Sequence, residues 1–248
     1  MLILLPPSET KRDGGLTGST LDLSALSFPA LSDGRRRALD ELRVLSADPV
    51  TAAKALKIGP SLHFEIERNR TAELSPLLPA MDRYTGVLYD GLDSVSLDAA
   101  ARTFLAQTVV ISSALFGLIG AGDHIPAYRL SHDSRLQDLR PKALWRDAAS
   151  SQLGEHPGFI LDLRSESYVA LGPVPAGANA SYLRVVADGP DGTKRALNHF
   201  NKKGKGEFVR LLAQAGISHD SPESLVDWAE TQGIRLAAGK AGELELVV

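Results

Sequence analysis

The sequence predicts a mixed α/β fold, a central mixed sheet flanked by helices, in a single compact domain over residues 1–248. Three observations predict it. Residues 2–5, 109–111 and 159–163 are apolar but for Asp162, too short for helices, and read as strands buried on both faces. Segments with helical spacing of apolar residues stand between and beyond them. Each apolar run also ends in a polar cluster rich in hydroxyls, and in open parallel sheets the carboxyl edge of the strands is where ligands bind.

In order, the strand at 2–5 is stopped by Pro6-Pro7 and enters the polar loop Ser8-Glu9-Thr10-Lys11-Arg12-Asp13-Gly14-Gly15. That loop is either one wall of a site or a solvated loop. Residues 16–32 carry no period. Over 35–45, Ala38, Leu39, Leu42 and Leu45 recur at helical spacing behind Asp33 as N-cap, and Arg35-Arg36-Arg37 is answered by Asp40 and Glu41 on a self-paired, solvated face. Short helices follow at 50–56 and 61–69. His63 and Glu67 stand one turn apart with no third ligand nearby, so a surface pair is expected rather than a metal site.

Residues 75–92 concentrate Tyr84, Thr85, Gly86, Tyr89 and Gly91, and read either as core elements joined by a turn or as a cleft wall. A helix over 97–107, with Ala100, Ala101, Phe104 and Leu105 inward, leads into the strand at 109–111. Further on come a helix at 141–153 opened by Pro141, the strand at 159–163, and two strands at 182–187 and 194–197 joined as a hairpin through 188–192. A helix at 200–215, another at 221–231 capped by Ser221 with Pro222 next, and two strands around 239–242 complete the chain.

The totals exclude several classes. With 248 residues, 44% hydrophobic and 23% charged, the chain can bury an ample core. A net charge of −3 and a pI near 6.1 rule out binding nucleic acid by bulk charge, so any such contact needs a local basic patch. Zero cysteines exclude disulfides, thiolate catalysis and cysteine-held metals. No apolar run is long enough for a bilayer, and residues 1–5 meet Pro6 too soon for a signal peptide, so the expected location is the cytoplasm, away from membranes. No G-x-S-x-G elbow, P-loop, G-x-G-x-x-G after a strand or H-E-x-x-H occurs, and no cofactor or metal is expected.

If the three apolar strands run parallel in one sheet, Ser8, Lys11, Ser112, Ser113, Arg164, Ser165 and Glu166 converge on one crevice. Two other segments carry candidate chemistry. In 118–122, Leu-Ile-Gly-Ala-Gly resembles the hairpin of helix-hairpin-helix modules, where Gly120 and Gly122 would let backbone N–H groups reach a phosphate; the alternative is a tight connection between packed elements. In Lys202-Lys203-Gly204-Lys205-Gly206, lysines at the start of a helix oppose its dipole, an arrangement a bound anion would repair; the alternative is a frayed, solvated first turn. Two functions follow. One is a protein holding duplex DNA phosphates without sequence preference through Lys11, Gly120, Gly122, Arg129, Lys202, Lys203 and Lys205. The other is an enzyme for a small phosphate- or carboxylate-bearing substrate, bound by Lys11, Arg129 and the lysine run, with Ser8, Tyr84, Ser113 or Tyr168 near the chemistry.

Several segments together resemble the YaaA family of bacterial peroxide-stress proteins: MLILLPPSETK at the amino terminus, Tyr84-Thr85-Gly86-Val87, SSALFGLIGAGDHIPAYRL, LDLRSESY, NHFNKKGKGEF and GELELVV. The resemblance implies a cytosolic protein of one compact α/β fold, linked to surviving hydrogen peroxide by limiting free iron and binding DNA through a basic cleft and a helix-hairpin-helix-like element. Carried onto this chain, the family's serine and lysine after the first strand are Ser8 and Lys11, its tyrosine and glycine are Tyr84 and Gly86, and its hairpin-like segment is 117–123. The tyrosine-arginine pair is Tyr128 and Arg129, and the basic run is Lys202, Lys203 and Lys205.

Overall fold

In the computed structural model of the chain, residues 1–188, 194–196 and 199–248 are described. The three apolar runs are strands β1 (Leu2–Leu5), β3 (Val109–Ser113) and β6 (Ile160–Asp162), and every residue in them is buried. β1 lies between the other two and is parallel to both, with Leu4 opposite Val110 and Asp162. Double burial is what a parallel sheet covered on both faces demands of its strands. The parallel arrangement inferred from their polar ends is therefore present.

Among the described residues the sheet has eight strands. Along its main path β4 (Gly117–Gly120), β3, β1, β6, β7 (Ala180–Asp188), β10 (Glu243–Val247) and β9 (Leu236–Ala238) follow one another, and β8 (Lys194–Ala196) pairs with β7. β3-β1-β6-β7-β10 are mutually parallel, while β4, β8 and β9 join antiparallel. The turn expected between β7 and β8 lies outside the described residues. A separate ribbon pairs β2 (Leu78–Pro79) with β5 (His124–Ile125).

Helices cover both faces. α1 (Ser32–Leu45) touches α7 (Pro141–Gly154) and α3 (Phe64–Arg70), with α2 (Pro49–Leu56) against α3. α4 (Ala80–Arg83) adjoins the ribbon; α5 (Val87–Leu92) and α6 (Ala99–Thr108) both meet α9 (His199–Ala215); α8 (Glu166–Val169) follows β6, and α10 (Pro222–Thr231) packs on β9. Ser221 caps α10 as expected, its side chain accepting from the Ser224 N–H. None of the described helices is long and apolar enough to cross a membrane.

Three local expectations are corrected. α1 starts at Ser32 with Leu31 at the cap, so Asp33 sits inside its first turn. Arg35 is not on a solvated face: it is fully buried and donates to the carbonyls of Ser27 (2.6 Å), Phe116 (3.0 Å) and Leu118 (2.7 Å). Those carbonyls lie in a loop, a turn and the edge strand β4, where they need donors, which wins over solvation of one arginine in three. The segment read as a helical hairpin is instead strand β4, turned back antiparallel on β3 with Ile119 opposite Ile111. Its glycines permit close approach: a Cβ on Gly120 would stand 2.7 Å from Ser27 Oγ.

The crossing of α5 and α9 is unusually close. A Cβ on Gly206 would lie 2.0 Å from the Leu88 carbonyl oxygen, and one on Gly91 would lie 2.8 Å from that of Lys203. Glycine on both sides lets the two backbones touch. This contact holds α5, and with it Tyr89, against the end of β1.

Candidate active site around Lys11

The loop leaving β1 is laid against residues 83–86 by its backbone. Lys11 forms an antiparallel bridge with Tyr84, Thr85 donates to the Thr10 carbonyl (3.2 Å) and Arg12 donates to that of Arg83 (2.9 Å). Gly86 makes the loop fit, because it adopts φ +95°, open to glycine, and a Cβ there would come 3.2 Å from Ser8 Oγ. Below, the fully buried Arg83 guanidinium donates to the carbonyls of Arg12, Gly14 (3.0 Å), Pro76 (2.7 Å) and Ile125 (3.1 Å). Burial pushes its pKa down to about 10.

Lys11 is thereby drawn inside, 8% exposed. Its ammonium lies 4.2 Å from the centre of the Tyr128 ring and 5.4 Å from that of Tyr84, and it donates to the carbonyls of Ser8 (2.9 Å) and Glu9 (3.3 Å). Among the described residues no carboxylate forms an ion pair with it. Desolvation therefore dominates, and despite the nearby charges of Glu9 and Glu65 its pKa falls from 10.5 to about 7. Arg129 and Arg68 push it the same way.

The tyrosines form a directed chain. Ser113 Oγ accepts from the N–H groups of Leu115 (3.1 Å) and Phe116 (3.0 Å), which occupies its lone pairs and leaves its proton for Tyr128 Oη at 2.7 Å. Tyr128 in turn gives its proton to Tyr84 Oη, also 2.7 Å away. Tyr84 stands at the end of this order. Burial raises its pKa to about 12, so it is a protonated donor at neutral pH. Tyr89 donates to the Pro6 carbonyl (2.9 Å), and Tyr168, edge-on to His132, has its pKa raised by burial and then by Glu9 and Tyr84. Two tyrosine rings, Tyr84 and Tyr128, thus flank the Lys11 ammonium, and the Tyr89 ring lies 5.3 Å from that of Tyr84.

Arg129 closes the group from outside. Its guanidinium holds the Glu9 carboxylate at 2.8 Å and donates to the Glu9 carbonyl at 3.3 Å. The Arg129 backbone is clamped by the buried Asn69 side chain, which donates to its carbonyl (2.9 Å) and accepts from its N–H (2.7 Å).

The structure brings Ser8, Lys11, Tyr84, Ser113, Tyr168 and Arg129 together. It separates the others. Ser112 and Ser113 are adjacent on a strand and face opposite ways; Ser112 Oγ accepts from Arg164 (3.1 Å), which is fully buried and ion-paired with Asp162 at 2.7 Å. Ser165 is exposed and meets Ser167, while Glu166 approaches Arg184 at 4.0 Å. The basic run is also divided. Lys205 is buried, donating to the Leu163 carbonyl (3.0 Å) above the Tyr182 ring, with desolvation lowering its pKa to about 8. Lys203 is exposed and paired with Glu207 at 3.3 Å, and Lys202 is exposed. The Gly120 N–H donates to the Asp123 carboxylate (2.9 Å), which also accepts from Ser27; Gly122 sits against Ala106. Of the described residues, no group of three or more His, Asp or Glu could hold a metal.

A family model described as "Peroxide stress protein YaaA" matches residues 1–238. The chain belongs to this family. Similar curated proteins carry the name UPF0246 protein: one from Corynebacterium efficiens is 42% identical over 100% of both chains, one from Corynebacterium glutamicum (strain R) is 41% identical over 94% of each, and one from Streptomyces coelicolor is 37% identical over 96% of this chain and 92% of its own. Within this YaaA-family chain, Tyr128 was reached only through the family resemblance, and sequence reasoning gave no role to Asn69 or Glu9. Tyr128 had a signal in its place beside Arg129; Asn69 had none, because one polar residue on a short helix looks solvated.

Proposed function

We propose that this member of the peroxide-stress family is an enzyme acting on a small anionic substrate, and that Lys11, Arg129 and Tyr84 are its working residues. One observation carries the reading: a lysine amine buried against two tyrosine rings, with no carboxylate ion pair among the described residues, beside an arginine held by the part-exposed Glu9 carboxylate. Burying an unpaired ammonium is unfavourable, and such perturbed groups cluster at functional sites. Lys11 supplies a neutral amine near pH 7, able to act as base or nucleophile. Arg129 supplies the anion contact, and Tyr84 supplies a proton replenished through Tyr128 and Ser113.

The test is anion binding followed by calorimetry with the wild-type chain and with Arg129→Gln. Small carboxylates should bind the wild type and bind the variant at least tenfold more weakly. Equal affinity would remove Arg129 from the site and this reading with it.

The exposed Lys202 and Lys203 favour a second reading, non-specific binding of duplex DNA. It predicts a steep fall of affinity with salt, flattened in the double alanine variant. Lys205 and the Gly120 N–H, both committed inside the protein, contribute nothing to that reading.

A further inference from the structure

Two cations converge on one atom. The Glu9 carbonyl oxygen accepts from Lys11 Nζ and from an Arg129 guanidinium nitrogen, each at 3.3 Å, while the Glu9 carboxylate lies on the same guanidinium at 2.8 Å. A single residue of the protein therefore presents a carbonyl to the lysine and a carboxylate to the arginine. The pairing of Glu9 with Arg129 is reversible, since the Glu9 side chain is 45% exposed and the Arg129 side chain 15%. A competing ligand has only to displace an exposed carboxylate, a contact of modest strength.

We infer that the substrate is a 2-oxo acid whose carboxylate replaces that of Glu9 on Arg129 and whose carbonyl carbon forms an imine with Lys11 Nζ. This rests on the enzyme reading above and narrows its substrate class. Because the Lys11 and Arg129 nitrogens both contact one oxygen, they stand close enough for a carbonyl and a carboxylate on adjacent carbons to span them. The aromatic walls fit the chemistry too: the π faces of Tyr84 and Tyr128 stabilise a cation above them, whether ammonium or protonated imine.

The step balances as amine plus carbonyl giving imine plus water. Neutral Lys11 nitrogen attacks the carbonyl carbon, a C–N bond forms, and the carbonyl π pair moves to oxygen. That oxygen takes the Tyr84 proton. The nitrogen returns a proton to Tyr84, the C–O bond breaks, and water leaves with a second proton through the same hydroxyl. Tyr84 ends protonated, and the nitrogen has lost both its protons to the departing water.

Glyoxylate with cyanoborohydride, which delivers hydride to the imine and leaves a stable secondary amine, provides the test. Peptide mapping should place the adduct on Lys11 at neutral pH, with Lys202 and Lys203, ordinary solvated amines, at least tenfold less modified. Arg129→Gln should cut labelling by glyoxylate at least tenfold and labelling by uncharged acetaldehyde by a much smaller factor, which reflects only the loss of the positive charge beside Lys11. Tyr84→Phe should slow both. Adducts spread over surface lysines with Lys11 untouched overturn the imine. If glyoxylate still raises the melting temperature of the wild type but not of Arg129→Gln, the imine alone fails and the anion site stands. If it does neither, both readings fail together.

Discussion

Replacing Lys11 with methionine turns the burial of its amine into a measurable stability difference. The side chain keeps an unbranched stem, one atom shorter, and loses its charged end. In the folded chain the ammonium releases its proton near pH 7, against 10.5 for an ordinary lysine. At about 1.36 kcal/mol per pH unit, holding it charged inside at low pH costs on the order of 5 kcal/mol. The sign follows from proton binding: between about pH 7 and 10.5 the unfolded chain retains a proton that the folded chain has lost, so wild-type stability rises with pH across that window. Below about pH 7 both forms are protonated and the full penalty applies. Lys11→Met lacks this dependence. The variant gives up two hydrogen bonds to carbonyls, worth about 1 kcal/mol each, which leaves it more stable than the wild type by a few kcal/mol at pH 6. Guanidinium unfolding at pH 6, 7, 8, 9 and 10 measures the gap. It should narrow by several kcal/mol towards pH 10, and a gap constant with pH would refute the reasoning.

Other changes have distinct consequences. Tyr128→Phe strands Ser113 and Tyr84 in the interior and should lower stability by about 1–3 kcal/mol in thermal unfolding, while slowing any reaction that draws its proton from Tyr84. Gly206→Ala drives a Cβ to 2.0 Å from the Leu88 carbonyl oxygen and should destabilise by about 3 kcal/mol, although alanine is the better helix former. Gly204→Ala meets only the Val248 and Val185 side-chain ends, at 3.0 and 3.4 Å, and should change the midpoint of denaturation by less than about 1 kcal/mol. Arg35→Met leaves three carbonyls without their donor and should cost about 3 kcal/mol or more by the same measurement; a near-neutral result would mean that water replaces the guanidinium.

The parallel core was legible because its strands are apolar without alternation and end in polar clusters, two properties that burial on both faces and a carboxyl-edge site impose together. β4 was not, because Gly117, Gly120 and Gly122 look like a turn, and only the pairing with β3 shows that they serve close approach. Lys205 and Arg35 were read as solvated or ligand-binding since charge on a helix usually faces water; both instead bond buried carbonyls. Gly206 beside Lys205 carried the missed signal, as a glycine inside a helix can mark a point pressed on another backbone. Of the site itself, Ser8, Lys11 and Ser113 stood out at strand ends, and Tyr84 in the tyrosine- and glycine-rich segment 75–92. Their organising partner Tyr128 lies far along the chain, and no spacing rule links it to Lys11.

The protonation state of Lys11 tests the central claim most directly. Nitrogen NMR of the Lys11 amine, assigned by its loss in Lys11→Met, should show a midpoint near pH 7. That midpoint should rise when glyoxylate is added without reductant to Tyr84→Phe, where anion binding precedes a slowed imine step. A midpoint near 10.5, that of a free lysine, would contradict the account.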